Sequence, residues 1–450
     1  MMSNPFYLVA GLGKTGLSIA RYLHRKNKAF AVFDTRKEPA GLQEFQAEFP
    51  QCPIYVEHFP EELLHHVIDI ITSPGLPIDL PLFKNARKQG IAIYGDIECL
   101  AREIHVPVVA ITGTNGKSTV TTLVGEMAQA AGIKVAVAGN IGTPVLDRLN
   151  ENQHDDLWVL ELSSFQLDLT STLSSIAATI LNISPDHLDR HHSMDGYIEA
   201  KQRIYHQAQT ILYNRDDTAT FPKTADRQAA ERIISFGNDN PPSMNDWGLV
   251  PKDGKIYLAQ GEHCLLAVDS LRIKGVHNWH NALAACALAD AVGIPVAAMI
   301  QVLSSFAGLN HRCQWVRTLD GVDWINDSKG TNIGATISAI NGIGGSMQGK
   351  IVLIAGGQGK GADFKELRHS IAGFVRSIVL IGEDADKMEA ALAEVVPISR
   401  AVSLDNAVTI AKTQAKPGDV VLLSPACASL DMFRDYNHRG EVFTASVRGL

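Results

Sequence analysis

The chain has 450 residues, 46% hydrophobic and 20% charged, with a formal net charge of −8 at pH 7, which suggests about three ordinary globular domains. The negative balance argues against a nucleic-acid partner, which needs a basic face, so the cations that hold any anionic substrate must be local. No apolar run approaches the ~20 residues of a membrane span, the opening "MMSNPFYLVAGLGK" lacks the basic and apolar regions of a signal peptide, and six cysteines without a C-x-x-C pair suit reduced thiols in a cytoplasmic protein.

The first predicted strand, "FYLVAG", runs into Gly11, Gly13 and Gly16, a G-x-G-x-x-G turn, and Asp34 ends the next strand, "AFAVFD". That pattern fits a Rossmann-like turn bringing backbone to a diphosphate, with an acid where a dinucleotide ribose would sit. An NAD-dependent oxidoreductase is one reading. Short strands then alternate with amphipathic segments almost throughout, the signature of α/β folds with parallel sheets. "VIDIITSPG" closes the first set, and "IAIYGDIECLAREIHVPVVAITG" leads into a second sheet.

"VVAITGTNGKSTVTTLVGEM" is the strongest signal in the chain. A β-branched strand enters Gly113, Thr114, Asn115, Gly116, Lys117, Ser118 and Thr119, and a helix follows. Such a loop lets backbone N–H groups converge on phosphate, with the lysine on the β/γ-phosphates and the hydroxyl on Mg²⁺. The first glycine departs from the strict G-x-x-x-x-G-K-[ST] spacing, since position 111 is isoleucine. "LWVLELSSFQLD" places Glu161 at the end of a buried strand, where it can hold a metal or its waters, or simply be a solvated strand end. "LNISPDHLDRH" offers His187 as a ligand but no spacing for tetrahedral zinc. By its pattern alone, Lys201 in "YIEAKQRIY" reads as a helix-surface lysine.

The stretch 220–274 is the least readable and suggests a small β-rich excursion. Asn278 and Asn281 stand at a helix start, where asparagines usually cap. A third set of strands follows. It carries polar clusters at "WINDSKGTN" (Asp327, Lys329, Thr331, Asn332), a Gly-rich turn with Lys360, and "SPACASLDMF" with Ser429 and Leu430. No G-x-S-x-G elbow or nucleophile triad is visible. A phosphate loop and two more polar strand-end clusters are superfluous for hydride transfer, so the residues favour an ATP-using enzyme with a phosphate-rich second ligand in the first domain.

"GTNGKST", "ELSSFQL", "LNISPDHLDRH", "HNWHN", "GLNHR", "NDSKGTN" and "SPACASLD" occur in the order typical of the bacterial Mur ligases, and the chain resembles that family over essentially its whole length. The resemblance implies three domains: a Rossmann-like N-terminal domain over 1–95, a P-loop ATPase-type central domain over 96–308, and a Rossmann-like C-terminal domain over 309–450. It implies ATP-dependent addition of D-glutamate to UDP-N-acetylmuramoyl-L-alanine through an acyl phosphate, in peptidoglycan precursor synthesis. A sibling ligase with another acceptor, a folylpolyglutamate-type ligase and a non-catalytic nucleotide-binding module are the competing readings.

Residue by residue, the resemblance assigns the UDP substrate to Leu12, Gly13, Lys14, Thr15, Asp34, Thr35, Arg36, Ser73, Gly75 and Asn140. ATP falls to the 113–119 loop with Asn278, Asn281, Arg312 and Asp327. Ser118 and Glu161 would hold one Mg²⁺, and His187 a second, together with Lys201 as a carbamate formed from CO₂. D-Glutamate would meet Thr331, Lys360, Ser429, Leu430 and Tyr436. Lys117, His187, Lys201 and Lys329 would carry the catalytic charges. Lys14, Gln358 and Tyr436 depart from common family residues without removing a chemical group. A monomer acting on small molecules is expected.

Overall fold

The computed structural model describes residues 4–151, 154–273, 275–345, 347–359 and 361–450. The chain forms two compact units, one comprising Met1–Val250, Ala259–Leu265 and Leu283–Met299, the other Pro251–Leu258, Leu266–Ala282 and Ile300–Leu450.

The first unit begins with a five-stranded sheet of β1 (Phe6–Ala10), β2 (Phe30–Asp34), β3 (Ile54–Val56), β4 (Val67–Thr72) and β5 (Ala92–Tyr94). Its order is β3-β2-β1-β4-β5, and every neighbouring pair is parallel. The strand order reverses between β1 and β4, which opens a crevice at their carboxyl ends, the usual ligand position in such sheets. The G-x-G-x-x-G turn lies there, between β1 and the helix Lys14–Arg25.

The three glycines of that turn are not equivalent. Gly11 has φ +90°, and a Cβ at Gly16 would run into the carbonyl oxygen of Gly11. Nothing lies within 4 Å of a Cβ at Gly13. Gly16→Ala should therefore cost about 2–4 kcal/mol of stability and Gly13→Ala under about 1 kcal/mol. Urea unfolding of the two variants checks this; equal midpoints would contradict it.

Among the described residues nine further strands follow: β6 (Val108–Thr112), β7 (Val135–Gly139), β8 (Leu157–Glu161), β9 (Ser175–Ile180), β10 (Ala208–Asn214), β11 (Arg232–Phe236), β12 (Trp247–Lys252), β13 (Lys255–Gln260) and β14 (His263–Ala267). β11 to β14 account for the β-rich stretch expected over 220–274. Within the first unit the central sheet runs β11-β10-β9-β6-β8-β7, all parallel. β6 and β8 are buried at every residue, as expected of strands covered on both faces. One apolar cluster passes from Val9, Leu17 and Ile97 to Ala136, Leu146 and Leu160, so the first two sheets share a core. The helix Asp96–Ala101 pins the junction. Gly95 N–H donates to the Leu169 carbonyl, and the Glu98 carboxylate accepts the N–H groups of Ser171 and Thr172 and the Thr172 hydroxyl.

The second unit carries a six-stranded sheet of β15 (Gln314–Leu319), β16 (Val322–Asn326), β17 (Ile351–Gly356), β18 (Val375–Ile381), β19 (Ile398–Arg400) and β20 (Val420–Leu423). The order is β15-β16-β20-β17-β18-β19, with only β15 antiparallel to its neighbour. β16 and β20 are adjacent and parallel, so the polar loops that follow them leave the sheet side by side. Among the described residues no helix is long and apolar enough to cross a membrane.

Candidate active site

The loop after β6 forms the centre of the site. Gly113 and Gly116 take φ +152° and +81°, and Gly116 precedes the helix Lys117–Ala130, which no side chain caps. The helix thus presents its first-turn N–H groups and the positive end of its dipole toward an anion. Lys117 Nζ folds back onto the carbonyls of Gly113 (2.9 Å) and Thr114 (2.8 Å). Ser118 is buried in the first turn.

Lys201, which the sequence pattern suggests is a surface residue, is only 1% exposed. Its amine donates to Thr112 Oγ1 (3.2 Å) and to the Gly113 carbonyl (2.9 Å), and it sits 4.8 Å from the Tyr197 ring centroid. Lys117 and Lys201 therefore converge on one carbonyl oxygen. Burial first, and then repulsion from Lys117, pulls the Lys201 pKa down to about 7. The helix pattern could not reveal this, because the oxygens that its amine meets, Thr112 Oγ1 and the Gly113 carbonyl, come from β6 and its loop.

Glu161, at the end of β8, is 1% exposed. Oε1 accepts from Asn140 Nδ2 at 2.9 Å, and the Asn140 N–H donates to the Glu161 carbonyl. Oε2 is buried with no hydrogen-bond partner among the described residues. An orphaned carboxylate oxygen costs free energy unless something cationic meets it, so the donor set here fits a hard metal ion such as Mg²⁺. Asn140, assigned to substrate by resemblance, orients this carboxylate.

His187 has φ +52° and precedes the short helix Leu188–His191; its side chain is 51% exposed, and its ring packs 5.0 Å from that of Phe165. His191, not singled out as a ligand, is the buried histidine of the segment, with Nε2 2.9 Å from Ser164 Oγ. Among the described residues no group of three or more His, Cys, Asp or Glu side chains is gathered to hold a metal.

In the first sheet's crevice, Asp34 is completely buried and already engaged. It accepts the Leu12 N–H (2.7 Å) and three N–H groups of Arg36 (2.8–2.9 Å). Burial opposes its charge, but the Arg36 and Leu12 bonds outweigh it and hold its pKa below the usual carboxylate value. Asp34 therefore shapes the turn, while Gly13, Lys14 and Thr15 begin the uncapped helix and Thr35 and Arg36 are exposed at the rim. Ser73 and Gly75 follow β4 on the other side of the crevice.

The remaining assigned residues belong to the second unit. Asn278 and Asn281 lie inside the helix Val276–Ala291, not at its cap, and the Asn281 amide donates to Asn278 Oδ1. Arg312 is exposed. Asp327 is buried, accepting from the Cys313 N–H (3.1 Å) and Ser424 Oγ (2.7 Å), and burial lifts its pKa to about 6. Lys329 Nζ lies 5.5 Å from the Tyr436 ring centroid. Thr331 is half-buried, Ser429 is buried and Leu430 is 64% exposed. Lys360 lies outside the described residues.

Arg439 is a residue that sequence reasoning missed. It is fully buried, and it donates to the carbonyls of Ser328 and Cys427 and to Ser328 Oγ, tying the loop after β16 to the loop after β20. Burial lowers its pKa to about 10. An arginine in a polar helix carries no sequence mark of this role.

Comparison with known proteins agrees with this layout. Residues 6–95 match a family model for the Mur ligase MurD-like N-terminal domain, 111–289 the Mur ligase middle domain, and 311–427 the Mur ligase glutamate ligase domain. The chain is 70% identical over 449 residues to the UDP-N-acetylmuramoylalanine–D-glutamate ligase of Legionella pneumophila strain Lens, covering 100% of both chains. It is 48% identical over 448 residues to the enzyme of that name from Pseudomonas aeruginosa, covering 100% of this chain and 99% of the other. Among solved structures, the UDP-N-acetylmuramate–alanine ligase of Thermotoga maritima shares the fold at 15% identity, with a TM-score of 0.56 over 99% of both chains. Three domain matches in order, together with full-length relatives far above 30% identity, make this chain a member of the Mur ligase family.

Proposed function

We propose that this protein joins D-glutamate to UDP-N-acetylmuramoyl-L-alanine at the expense of ATP, in the cytoplasm and as a monomer. The domains would span 1–95, 96–308 and 309–450. The observation that carries this reading is 70% identity over full length to relatives of that name, beside an uncapped phosphate loop with two converging lysines. The unpaired state of all six cysteines accords with a reducing compartment.

The chemistry follows from what an amide bond requires. A carboxylate and an amine do not condense in water, so the carboxylate is first activated. The alanine carboxylate attacks the γ-phosphorus of ATP in line, ADP departs, and an acyl phosphate results. The uncharged amine of D-glutamate then adds to the acyl carbon, the tetrahedral adduct expels phosphate, and the amine proton passes to solvent or base. Lys117, with the N–H groups of the 116–119 turn, would hold the β/γ-phosphates and offset their charge. Asn278, Asn281, Arg312 and Asp327 would serve the rest of ATP. Gly13, Lys14, Thr15 and the residues around Asp34 and Ser73 would hold the UDP end of the substrate. Thr331, Lys360, Ser429, Leu430 and Tyr436 would hold D-glutamate, with Lys329 beside the reacting anions.

Glu161 and Ser118 would bind one Mg²⁺, and His187 with a carbamylated Lys201 a second. Such ions, when bound, lower the repulsion between carboxylate and triphosphate. The depressed pKa of Lys201 suits carbamate formation, since only the neutral amine adds to CO₂.

Phosphate release in the presence of ATP, Mg²⁺ and UDP-N-acetylmuramoyl-L-alanine tests the reading. Release should require D-glutamate and remain at background with L-lysine or L-alanine. Release independent of D-glutamate, or equally fast with L-lysine, would sink it.

A further inference from the structure

The segment after β9 is moulded against the phosphate loop. Leu181 N–H donates to the Thr112 carbonyl and Thr114 N–H to the Asn182 carbonyl, both at 2.9 Å. The Asn182 side chain then closes a reciprocal pair with one residue of the loop. Its Oδ1 accepts the Asn115 N–H at 2.8 Å, and its Nδ2 donates to the Asn115 carbonyl at 3.1 Å. Thr114 Oγ1 accepts the Ser184 N–H at 3.0 Å and lies 3.1 Å from the Tyr197 hydroxyl. Leu181 Cβ and the Asn182 N–H fill the space where a Cβ at Gly113 would stand.

A primary amide that faces both the N–H and the C=O of one residue acts like a neighbouring strand. The backbone partners fix which end of the amide is oxygen. The consequence concerns selection among donors. The N–H groups of Thr114 and Asn115 are turned outward to this segment, which leaves the turn from Gly116 to Thr119 to face phosphate. Asn115, held in this way, leads directly into Gly116, which takes φ +81° and starts the helix.

We propose that Asn182 is a positioning residue for nucleotide, fixing Asn115 and Gly116 so that the loop's remaining N–H groups converge on the β-phosphate. This rests on the ATP-binding reading above. Its role is distinct from that of the segment's later residue His187, because the amide acts on the loop's backbone and touches no reacting atom.

The test is MgADP affinity by calorimetry, paired with steady-state kinetics, on wild type, Asn182→Ala and Asn182→Asp. In Asn182→Ala the Kd for MgADP and the KM for ATP should rise about tenfold, on the scale of two lost hydrogen bonds. The KM values for the UDP substrate and D-glutamate should stay within about twofold. Asn182→Asp keeps the acceptor for the Asn115 N–H but sets a carboxylate oxygen against the Asn115 carbonyl, so it should bind MgADP more weakly still. If the alanine variant does not fold, the aspartate variant carries the test, with circular dichroism as the check on folding. Unchanged MgADP affinity in folded variants, or an equal rise in all three KM values, would overturn the inference alone. A wild-type chain that binds no MgADP would overturn the nucleotide reading, and the inference with it.

Discussion

Replacing Lys201 with alanine should lower kcat by roughly 10²–10³-fold, on the scale of losing one preorganised charge-stabilising group, and short carboxylic acids added to the assay should restore part of it. The expectation rests on where the amine lies. It is buried, 2.9 Å from the same Gly113 carbonyl that Lys117 engages. A lysine with its ordinary pKa has roughly one molecule in three thousand uncharged at pH 7. With its pKa lowered from 10.5 to about 7, Lys201 is about half uncharged there. The neutral amine can add to CO₂, lose a proton and become an anionic carbamate, whose oxygens propionate or acetate could imitate in the alanine variant. Labelled CO₂ capture by the wild-type chain should accordingly rise as pH increases through about 7. The sign for stability agrees. Between about pH 7 and 10.5 the unfolded chain holds more protons at this site than the folded one, so the unmodified protein gains stability as pH rises across that window. An alanine variant of unchanged activity would mean that the carbamate role is wrong.

Glu161→Gln should separate function from stability. The amide can keep the contact with Asn140 while removing the carboxylate whose Oε2 is buried without a partner. Activity should fall by about 10²–10³-fold, and direct titration with Mn²⁺ should show weakened metal binding. The melting temperature should hold or rise by a few degrees, because a buried charge awaiting a counter-ion is a cost to the fold. Concurrent loss of activity and of several degrees of melting temperature would identify Glu161 as a structural carboxylate instead.

The parts of the site that were legible in the sequence are those made by contiguous residues. The 113–119 loop is one strand–turn–helix passage, and its glycines, lysine and serine declare it. The G-x-G-x-x-G turn is another, and its glycines correctly announced a strand–turn–helix. The pattern does not show that its acid, Asp34, is held by the Leu12 N–H and by Arg36. Residues whose role depends on distant chain were unreadable from pattern. Lys201 looks like a surface lysine until the fold buries it and brings its amine to Thr112 and the Gly113 carbonyl. Arg439 looks like helix polarity until two loops place their carbonyls around it. Asn140 points at the end of β8 only because β7 pairs with it in register, with Gly139 opposite Glu161.

By itself, the sequence determined the α/β class, the alternation of strand and helix, the two Gly-rich turns and, through its ordered motifs, the family. These are local properties, set by hydrophobic periodicity and by which residues tolerate left-handed backbone. Which titratable groups are buried, which carboxylate oxygen is left without a partner among the described residues, and which amide pairs with the backbone of the loop after β6 are settled only in the tertiary structure. Those outcomes turn on desolvation and hydrogen-bond satisfaction, which depend on neighbours brought from tens of residues away by the parallel order of the sheets.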